Sequence, residues 1–148
     1  MQLILIAVIL SASMKPMNHA LCPCHSAKPY GKCCEPYLTG SAKPRTVTQL
    51  MRSRYSAFAM GGCGDYLYHT WHPAERGTLT AEDLSVPTVE WVHLRIVDSE
   101  QKGDTGHVEF IATFLQEDGS AGTHHEKSLF VRERGQWLYH SGVVTTEV

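Results

Sequence analysis

The sequence lacks the short motifs that mark common catalytic and nucleotide-binding sites. Its 148 residues contain no phosphate-binding loop, no His-Glu-x-x-His run and no Ser-His-Asp order. Internal repeats and low-complexity segments are also missing. The formal net charge of −2 is close to zero, which argues against a general nucleic-acid binder. Because none of these patterns indicates catalysis, we favour a role other than that of an enzyme.

No apolar run in the sequence is long enough to cross a bilayer. The stretch Met1–Leu10 is strongly apolar, but a membrane-spanning helix needs about 20 such residues. The stretch also lacks the basic residues that begin a signal peptide. We therefore expect no membrane partner, and interpret residues 1–18 as an extension that is weakly ordered or not native, with the true start at Met14 or Met17. Export by a genuine signal in Met1–Ser13 is the alternative.

Cysteine is scarce except in one short stretch, where four of the five cysteines lie within thirteen residues. Adjacent cysteines, or cysteines one residue apart, are hard to bridge by disulfides without strain, whereas four clustered soft sulfurs suit a tetrahedral zinc ion. A closed four-thiolate site leaves no position for a substrate, so the metal would serve folding, and it fits the reducing cytoplasm. Disulfides, redox chemistry and a metal cluster remain the alternatives. We predict one structural Zn²⁺ per chain, bound by Cys22, Cys24, Cys33 and Cys34.

Charge is unevenly distributed along the chain. Residues 15–54 carry seven lysines and arginines against one acid, Glu35, whereas residues 55–148 carry six against fourteen. Such asymmetry is typical of a basic face that docks an acidic protein partner or nucleic acid. The alternative is that the basic charge offsets the zinc thiolates and pairs with the acidic body.

The first part of the chain after the cysteines has helical periodicity. A helix is predicted from about Thr46 or Thr48 to Met60, because a threonine can cap its start and two glycines follow its end. A second helix, capped by Asp65, is predicted to end near Trp71. A third helical turn is predicted at Thr80–Leu84, with a capping box.

From Val89 onward the period of the pattern changes to two. Alternating segments rich in β-branched and aromatic residues predict four strands, which cover residues 89–97, 107–116, 123–132 and 136–144. Glycine-containing breaks between them fit hairpin turns. Helices followed by an antiparallel meander predict an α+β fold, in which a curved sheet wraps round the helices and leaves a concave interior.

Two arginines on the first long helix are candidates for that interior. Arg52 or Arg54 could clamp a carboxylate or phosphate, and we prefer Arg52 because apolar-face residues bracket it. The alternative is a structural role, either in an ion pair with Glu109 or Glu126 or in a hydrogen bond to the backbone of the zinc segment.

Aromatic and titratable residues give further candidates. His72 could act as an acid or base near neutral pH, or simply cap a helix end among packed aromatic residues. Glu109 would be a buried base if its strand face points inward, and a solvated side chain if it points outward. The candidate pocket residues are Arg52, Tyr55, Tyr66, Trp71, His72, Glu109 and Glu126.

The cysteine spacing resembles the SEC-C motif, the zinc-binding segment known from the C-terminal tail of the SecA translocation ATPase. By this resemblance the ligands are the same four cysteines, and His25 stands where the motif usually has glycine. His25 would be either a loop residue or an alternative ligand.

Further stretches between Cys22 and Gly142 resemble the YchJ-like bacterial family. These stretches are LMRSRYSAF at 50–58, YLYHTWHP at 66–73, VEF at 108–110, HEKS at 125–128 and WLY at 137–139. The resemblance implies a SEC-C segment at residues 19–40 packed on a nuclear transport factor 2-like domain at residues 45–148, a cone of helices and curved antiparallel sheet. That fold hosts isomerases, dehydratases, ligand binders and interaction modules, so it implies no single function.

We therefore expect a zinc-binding interaction or docking module. Two alternatives use the interior of the cone. One is a small-ligand binder, and the other is an isomerase or dehydratase that uses Glu109 or His72.

Overall fold

A computed structural model describes residues 20–145 of the chain. The apolar stretch Met1–Leu10 and the extension predicted at residues 1–18 lie outside the described residues. The helical elements are a 3₁₀ turn (Tyr30–Lys32), α1 (Glu35–Leu38), α2 (Val47–Met60), α3 (Gly64–His69) and α4 (Ala81–Ser85). The strands are β1 (Glu90–Lys102), β2 (Thr105–Leu115), β3 (Ala121–Glu133) and β4 (Gln136–Thr145).

The start of each longer helix follows from local hydrogen bonding. Thr46 caps α2, since its side chain accepts a hydrogen bond from the N–H of Gln49, as predicted. The capping box of α4 between Thr80 and Asp83 is also present. The predicted cap of α3 by Asp65 is wrong.

Helix α3 begins at Gly64, one residue before the predicted cap, and its first N–H is bound from a distant part of the chain. The N–H of Gly64 donates to Ser85 Oγ at 2.9 Å. A Cβ at position 64 would collide with the backbone of Ala81, so only glycine permits this close approach of α3 and α4. Asp65 therefore lies in the first turn of the helix rather than at its cap.

The four strands form one antiparallel meander in the order β1-β2-β3-β4, which confirms the predicted α+β arrangement. The turns have the positive φ angles that hairpins need, 57° at Gly103 and 53° and 75° at Arg134 and Gly135. Register shifts interrupt β1 twice and the β3–β4 pairing once. Such irregularities increase the local twist and bend of a sheet.

The core lies between α2 and the inner face of the sheet. Leu50, Val108, Phe130 and Trp137 are almost completely buried there. The cysteine segment, which we define as residues 20–40, joins the same core through Cys22, Cys24, Cys34 and Tyr30. No helix within residues 20–145 is long and apolar enough to cross a membrane.

Candidate metal centre and inner cavity

The fold brings four cysteines together at the N-terminal end of the described chain. The sulfur atoms of Cys22, Cys24, Cys33 and Cys34 all lie within 4.8 Å of one another, and all but Cys33 are buried. Cys24 Sγ lies 3.5 Å from Cys33 Sγ, which is 4.0 Å from Cys34 Sγ. Four ligands about 2.3 Å from a tetrahedral zinc ion would lie about 3.8 Å apart, so these spacings fit a metal site. They are too long for a disulfide, whose sulfurs are about 2.05 Å apart.

The electrostatics of the cluster also favour a cation. Hydrogen bonds from Cys22 and Cys34 lower the pKa of Cys24, so one thiolate is stable there. Hydrogen-bond contacts with Cys22 and Cys24, together with burial, raise the pKa of Cys34, and burial raises the pKa of Cys33 to about 11. The protein alone therefore favours the thiolate of Cys24 and opposes the ionisation of Cys33 and Cys34. A divalent metal ion would remove this opposition, because a coordinating thiol is deprotonated.

His25 and Arg52 connect the cysteine segment to α2. His25 has a φ of 64°, the left-handed region that favours the glycine usual at this position of the motif. Its ring packs on His93 and Tyr55, with centroid distances of 5.0 and 6.1 Å, and it does not belong to the cysteine cluster. Arg52 Nη1 donates a 2.8 Å hydrogen bond to the carbonyl oxygen of Cys24.

A cavity of about 290 Å³ opens between α2 and the inner face of the sheet. Its wall combines aromatic and aliphatic side chains with a small set of polar ones. The lining residues are Met51, Arg54, Tyr55, Phe58, Trp71, Trp91, Phe110, Ala112, His124, Glu126, Ser128 and Tyr139. A mostly apolar concave site with a few polar groups is typical of small-molecule binding.

Arg54 is the cation of this cavity. Its side chain is only 4% exposed, and its Nη1 donates to the carbonyl oxygen of Leu67 at 2.8 Å and to Thr70 Oγ1 at 2.7 Å. Burial lowers the pKa of Arg54 to about 10, so the guanidinium stays charged at neutral pH. Positions 51, 54, 55 and 58 share one helix face, and this i, i+3, i+4, i+7 spacing could have identified Arg54 from the sequence.

Glu126 is the anion of the cavity, and both of its carboxylate oxygens accept hydrogen bonds. Oε1 accepts from His124 Nε2 at 2.9 Å, while Oε2 accepts from Ser128 Oγ at 2.5 Å and from Tyr139 Oη at 2.9 Å. The strand alternation that places residues 124, 126 and 128 on one face explains why these groups meet. The sequence analysis named Glu126 as a pocket residue but did not identify His124, Ser128 or Tyr139 as its partners.

Two residues of the cavity wall each have a buried polar atom without a partner among the described residues. The hydroxyl of Tyr55 and the indole Nε1 of Trp71 are buried and make no hydrogen bond. Burial raises the pKa of Tyr55 to about 12, so its hydroxyl keeps its proton. Buried polar groups are nearly always paired in native proteins, so these two need an explanation.

Of the seven sequence-predicted pocket residues, Tyr55, Trp71 and Glu126 line the cavity. The other four lie elsewhere and have partners of their own. Arg52 reaches the cysteine segment, Tyr66 Oη lies 2.6 Å from Ser53 Oγ, His72 Nε2 lies 2.6 Å from Glu133, and His125 Nε2 lies 2.7 Å from Glu109.

The preference for Arg52 over Arg54 was wrong, because Arg52 faces the cysteine segment and Arg54 lies on the cavity face of α2. The hydrogen bond from Arg52 to the Cys24 carbonyl is the structural role that the sequence analysis gave as the alternative. Glu109 points away from the cavity for a related reason, since its neighbour Phe110 on β2 points into it.

Comparisons with known proteins agree with this architecture. A family model described as the middle, nuclear transport factor 2-like domain of YchJ matches residues 46–142, and the SEC-C motif model matches residues 20–36. A UPF0225 protein of Sodalis glossinidius is 40% identical over 126 residues, covering 82% of this chain and 81% of its own. The UPF0225 protein YchJ of Shigella dysenteriae is 40% identical over 126 residues, covering 82% of each chain.

A solved structure shares the fold. The solution structure of a SEC-C motif containing protein from Rhodopseudomonas palustris matches with a TM-score of 0.77 and 35% sequence identity. The match covers 88% of this chain and all of the other. The predicted fold, a SEC-C segment with a nuclear transport factor 2-like domain, is therefore confirmed. On these matches, the chain belongs to the YchJ-like UPF0225 family of bacterial proteins.

Proposed function

We propose that this protein binds a small organic molecule in its inner cavity, and that a structural zinc ion in the SEC-C segment fixes one wall of that cavity. One observation carries the first part. Tyr55 and Trp71, which both line a largely apolar cavity, each have a buried polar atom without a partner, the Tyr55 hydroxyl and the Trp71 indole N–H. Leaving a buried polar group unpaired costs about 1–3 kcal/mol, and a bound ligand with acceptor atoms would remove that cost.

The cysteine cluster supports the second part. Cys22, Cys24, Cys33 and Cys34 would hold the zinc ion, and their thiolates would leave no ligand position for a substrate. Zinc in such a site contributes to folding rather than to chemistry. A four-thiolate centre also supports our prediction of a cytoplasmic protein, because thiols persist in a reducing compartment.

One side chain of the cavity wall contacts the cysteine segment directly. Tyr55, whose hydroxyl is unpaired, packs its ring against His25 from the cysteine segment. Arg52 joins the same segment to α2 one turn earlier through the Cys24 carbonyl. A metal that orders residues 20–40 would therefore also fix the position of Tyr55 on the cavity wall.

A titration of the full-length zinc-loaded chain tests the ligand proposal. The probes are benzoate, benzamide and benzylamine together with hexanoate, hexanamide and hexylamine, followed by calorimetry and by NMR. We expect at least one probe to bind at one site per chain and to shift resonances of the cavity residues. If no probe binds at millimolar concentrations, or if the shifts lie outside the cavity, the proposal is wrong.

A matched pair of variants provides the control. Ala112 is buried on the cavity wall, so Ala112→Leu fills part of the space and should abolish probe binding. Ala121 is exposed on β3 and does not line the cavity, so Ala121→Leu makes the same chemical change without the effect.

Docking to an acidic partner is the second candidate, and one observation favours it. A groove of about 310 Å³ beside the cysteine cluster is lined by Lys28, Lys32 and Arg52 and by hydroxyl side chains. An acidic protein segment fits this charge better than nucleic acid does, because the net charge of the chain is −2. Neutralising Lys28 and Lys32 together should abolish capture of such a partner in a pull-down, and unchanged capture would reject this groove.

The enzyme alternative loses its basis. It rested on Glu109 or His72 as the acid–base residue, and neither lines the cavity. Glu109 pairs with His125 and His72 pairs with Glu133.

A further inference from the structure

The chemical class of the ligand can be inferred from the hydrogen-bonding groups on the cavity wall. Arg54 is the first of these groups. Only its Nη1 has acceptors among the described residues, the Leu67 carbonyl and Thr70 Oγ1. Because a guanidinium carries five N–H groups on three nitrogens, Nε and Nη2 remain available to a ligand in the cavity that Arg54 lines.

The charge of Arg54 has no close counter-ion. Within the described chain, Arg54 takes part in no salt bridge, for which the limit is 4.0 Å between nitrogen and oxygen. The Glu126 carboxylate shares the cavity and attracts Arg54 from beyond this limit, but its hydrogen bonds are made with His124, Ser128 and Tyr139. A buried charge usually has a partner in direct contact, and Arg54 has none among the described residues.

Aromatic rings hold the guanidinium in place. Its central carbon lies 4.9 Å from the Tyr139 ring centroid, 5.3 Å from that of Trp71 and 5.9 Å from that of Phe58. These cation–π contacts stabilise the charge in part and fix the side chain without providing acceptor atoms. The group is thus ordered before any ligand arrives.

The unpaired polar atoms of two other residues that line the cavity are also donors. Trp71 Nε1 can only donate, and the protonated Tyr55 hydroxyl can donate as well. The free hydrogen-bonding capacity of the cavity is therefore rich in donors and poor in acceptors. The other lining residues around them are largely apolar, among them Met51, Trp91 and Phe110.

We propose that the ligand is a small organic carboxylate with an apolar body, bound by Arg54 with Trp71 and Tyr55 as additional donors. This inference rests on the proposed function and narrows it. The carboxylate supplies the acceptor oxygens and the negative charge that these groups lack, and arginine recognises carboxylates well through paired N–H donors. The cavity of about 290 Å³ is near the lower end of ligand sites, so the body is about the size of one ring or a short chain.

Comparing charge within each probe series separates this inference from the proposed function. In the full-length zinc-loaded chain, benzoate and hexanoate should bind at least about tenfold more tightly than their amides, and the amines should not bind. Equal affinity for acid and amide, or preference for the amine, would overturn the carboxylate inference and leave a ligand site. Absence of binding by all six probes would overturn both.

NMR gives a local readout of the same titration. The indole N–H of Trp71 has no acceptor in the described structure, whereas that of Trp137 already donates to the Arg45 carbonyl at 3.2 Å. Benzoate should therefore move the Trp71 indole resonance downfield and leave the Trp137 resonance in place. A bound carboxylate that leaves the Trp71 resonance unchanged would contradict its role as a donor.

Variants test the assignment of the donors. Arg54→Gln keeps hydrogen-bonding capacity but removes the charge, so it should abolish the preference for acid over amide. Because Arg54 also binds the α3 backbone, circular dichroism must first show that the variant folds. Trp71→Phe keeps an aromatic ring beside Arg54 and removes the N–H, so benzoate affinity should fall several-fold. This second variant keeps the proposal testable if Arg54→Gln does not fold. Trp137→Phe makes the same change outside the cavity, so it should leave benzoate affinity unchanged, and an equal loss there would argue against a specific role for Trp71.

Discussion

Replacing Glu126 by glutamine should destabilise the protein in a way that depends on pH. Glu126 is 9% exposed, and its carboxylate accepts hydrogen bonds from His124, Ser128 and Tyr139. Glutamine has the same shape, but one of its two terminal atoms is a donor and cannot accept these bonds. At least one buried donor would then lose its acceptor, and the charge assistance of the others would also be lost.

The direction of the pH effect follows from the pKa of Glu126. Burial alone raises this pKa, but the hydrogen bonds from His124, Ser128 and Tyr139 outweigh burial and lower it below its usual value of 4.5. A carboxyl whose pKa is lower in the folded state stabilises the fold above the pKa of the unfolded chain. That contribution is lost as the pH falls through the lower, folded value.

The size of the effect at pH 7 should be about 1–3 kcal/mol, the usual cost of an unsatisfied buried donor. Urea unfolding followed by circular dichroism measures it for the wild type and Glu126→Gln between pH 7 and pH 4. We expect the difference between the two proteins to shrink as the pH falls toward the acid end. Metal release at low pH affects both proteins, so their difference isolates Glu126.

Glu117→Gln serves as the matched control, because Glu117 is exposed in the turn between β2 and β3 and should give no such difference. If Glu126→Gln is as stable as the wild type at pH 7, or if its deficit grows as the pH falls, the reasoning about this network is wrong.

Three further changes have expected outcomes. Gly142→Ala should lower the free energy of unfolding in urea by about 1–3 kcal/mol, because the added Cβ would collide with the Glu126 carboxylate and displace it from its donors. Wild-type stability of this variant would contradict the close packing. Tyr55→Phe should raise the melting temperature of the ligand-free protein, since it removes an unpaired buried hydroxyl, and a lower melting temperature would mean that the hydroxyl has a partner. Arg52→Met should speed metal loss to a chelator, because it removes the hydrogen bond to the Cys24 carbonyl, and an unchanged rate would show that this bond does not hold the segment.

Local patterns in the sequence predicted most of the fold. Thr46 marked the start of α2, Thr80 and Asp83 marked a capping box, and alternation identified all four strands to within a few residues at most of their ends. These features depend only on residues close together along the chain, so they can be predicted from the sequence. The α3 cap was missed because Gly64 is held by Ser85, twenty-one positions away.

The candidate site was predictable only in part. Glu126 was named from the sequence as a pocket residue, but its partner Tyr139 comes from β4 and depends on how the strands curve. The choice between Arg52 and Arg54 required knowing which side of α2 the cysteine segment covers. Such packing across elements has no local signal.

Two measurements on the full-length chain, purified without added metal, test the zinc-stabilised architecture most directly. Native mass spectrometry counts the bound metal, and thermal melting with and without a chelator measures its contribution to stability. Structural zinc sites contribute about 10–16 kcal/mol, comparable to the whole stability of a domain, so chelation should lower the melting temperature strongly. We predict one zinc per chain in the wild type and none in Cys34→Ser. A metal-free chain with four reactive thiols and an unchanged melting curve would contradict a structural zinc site at these cysteines.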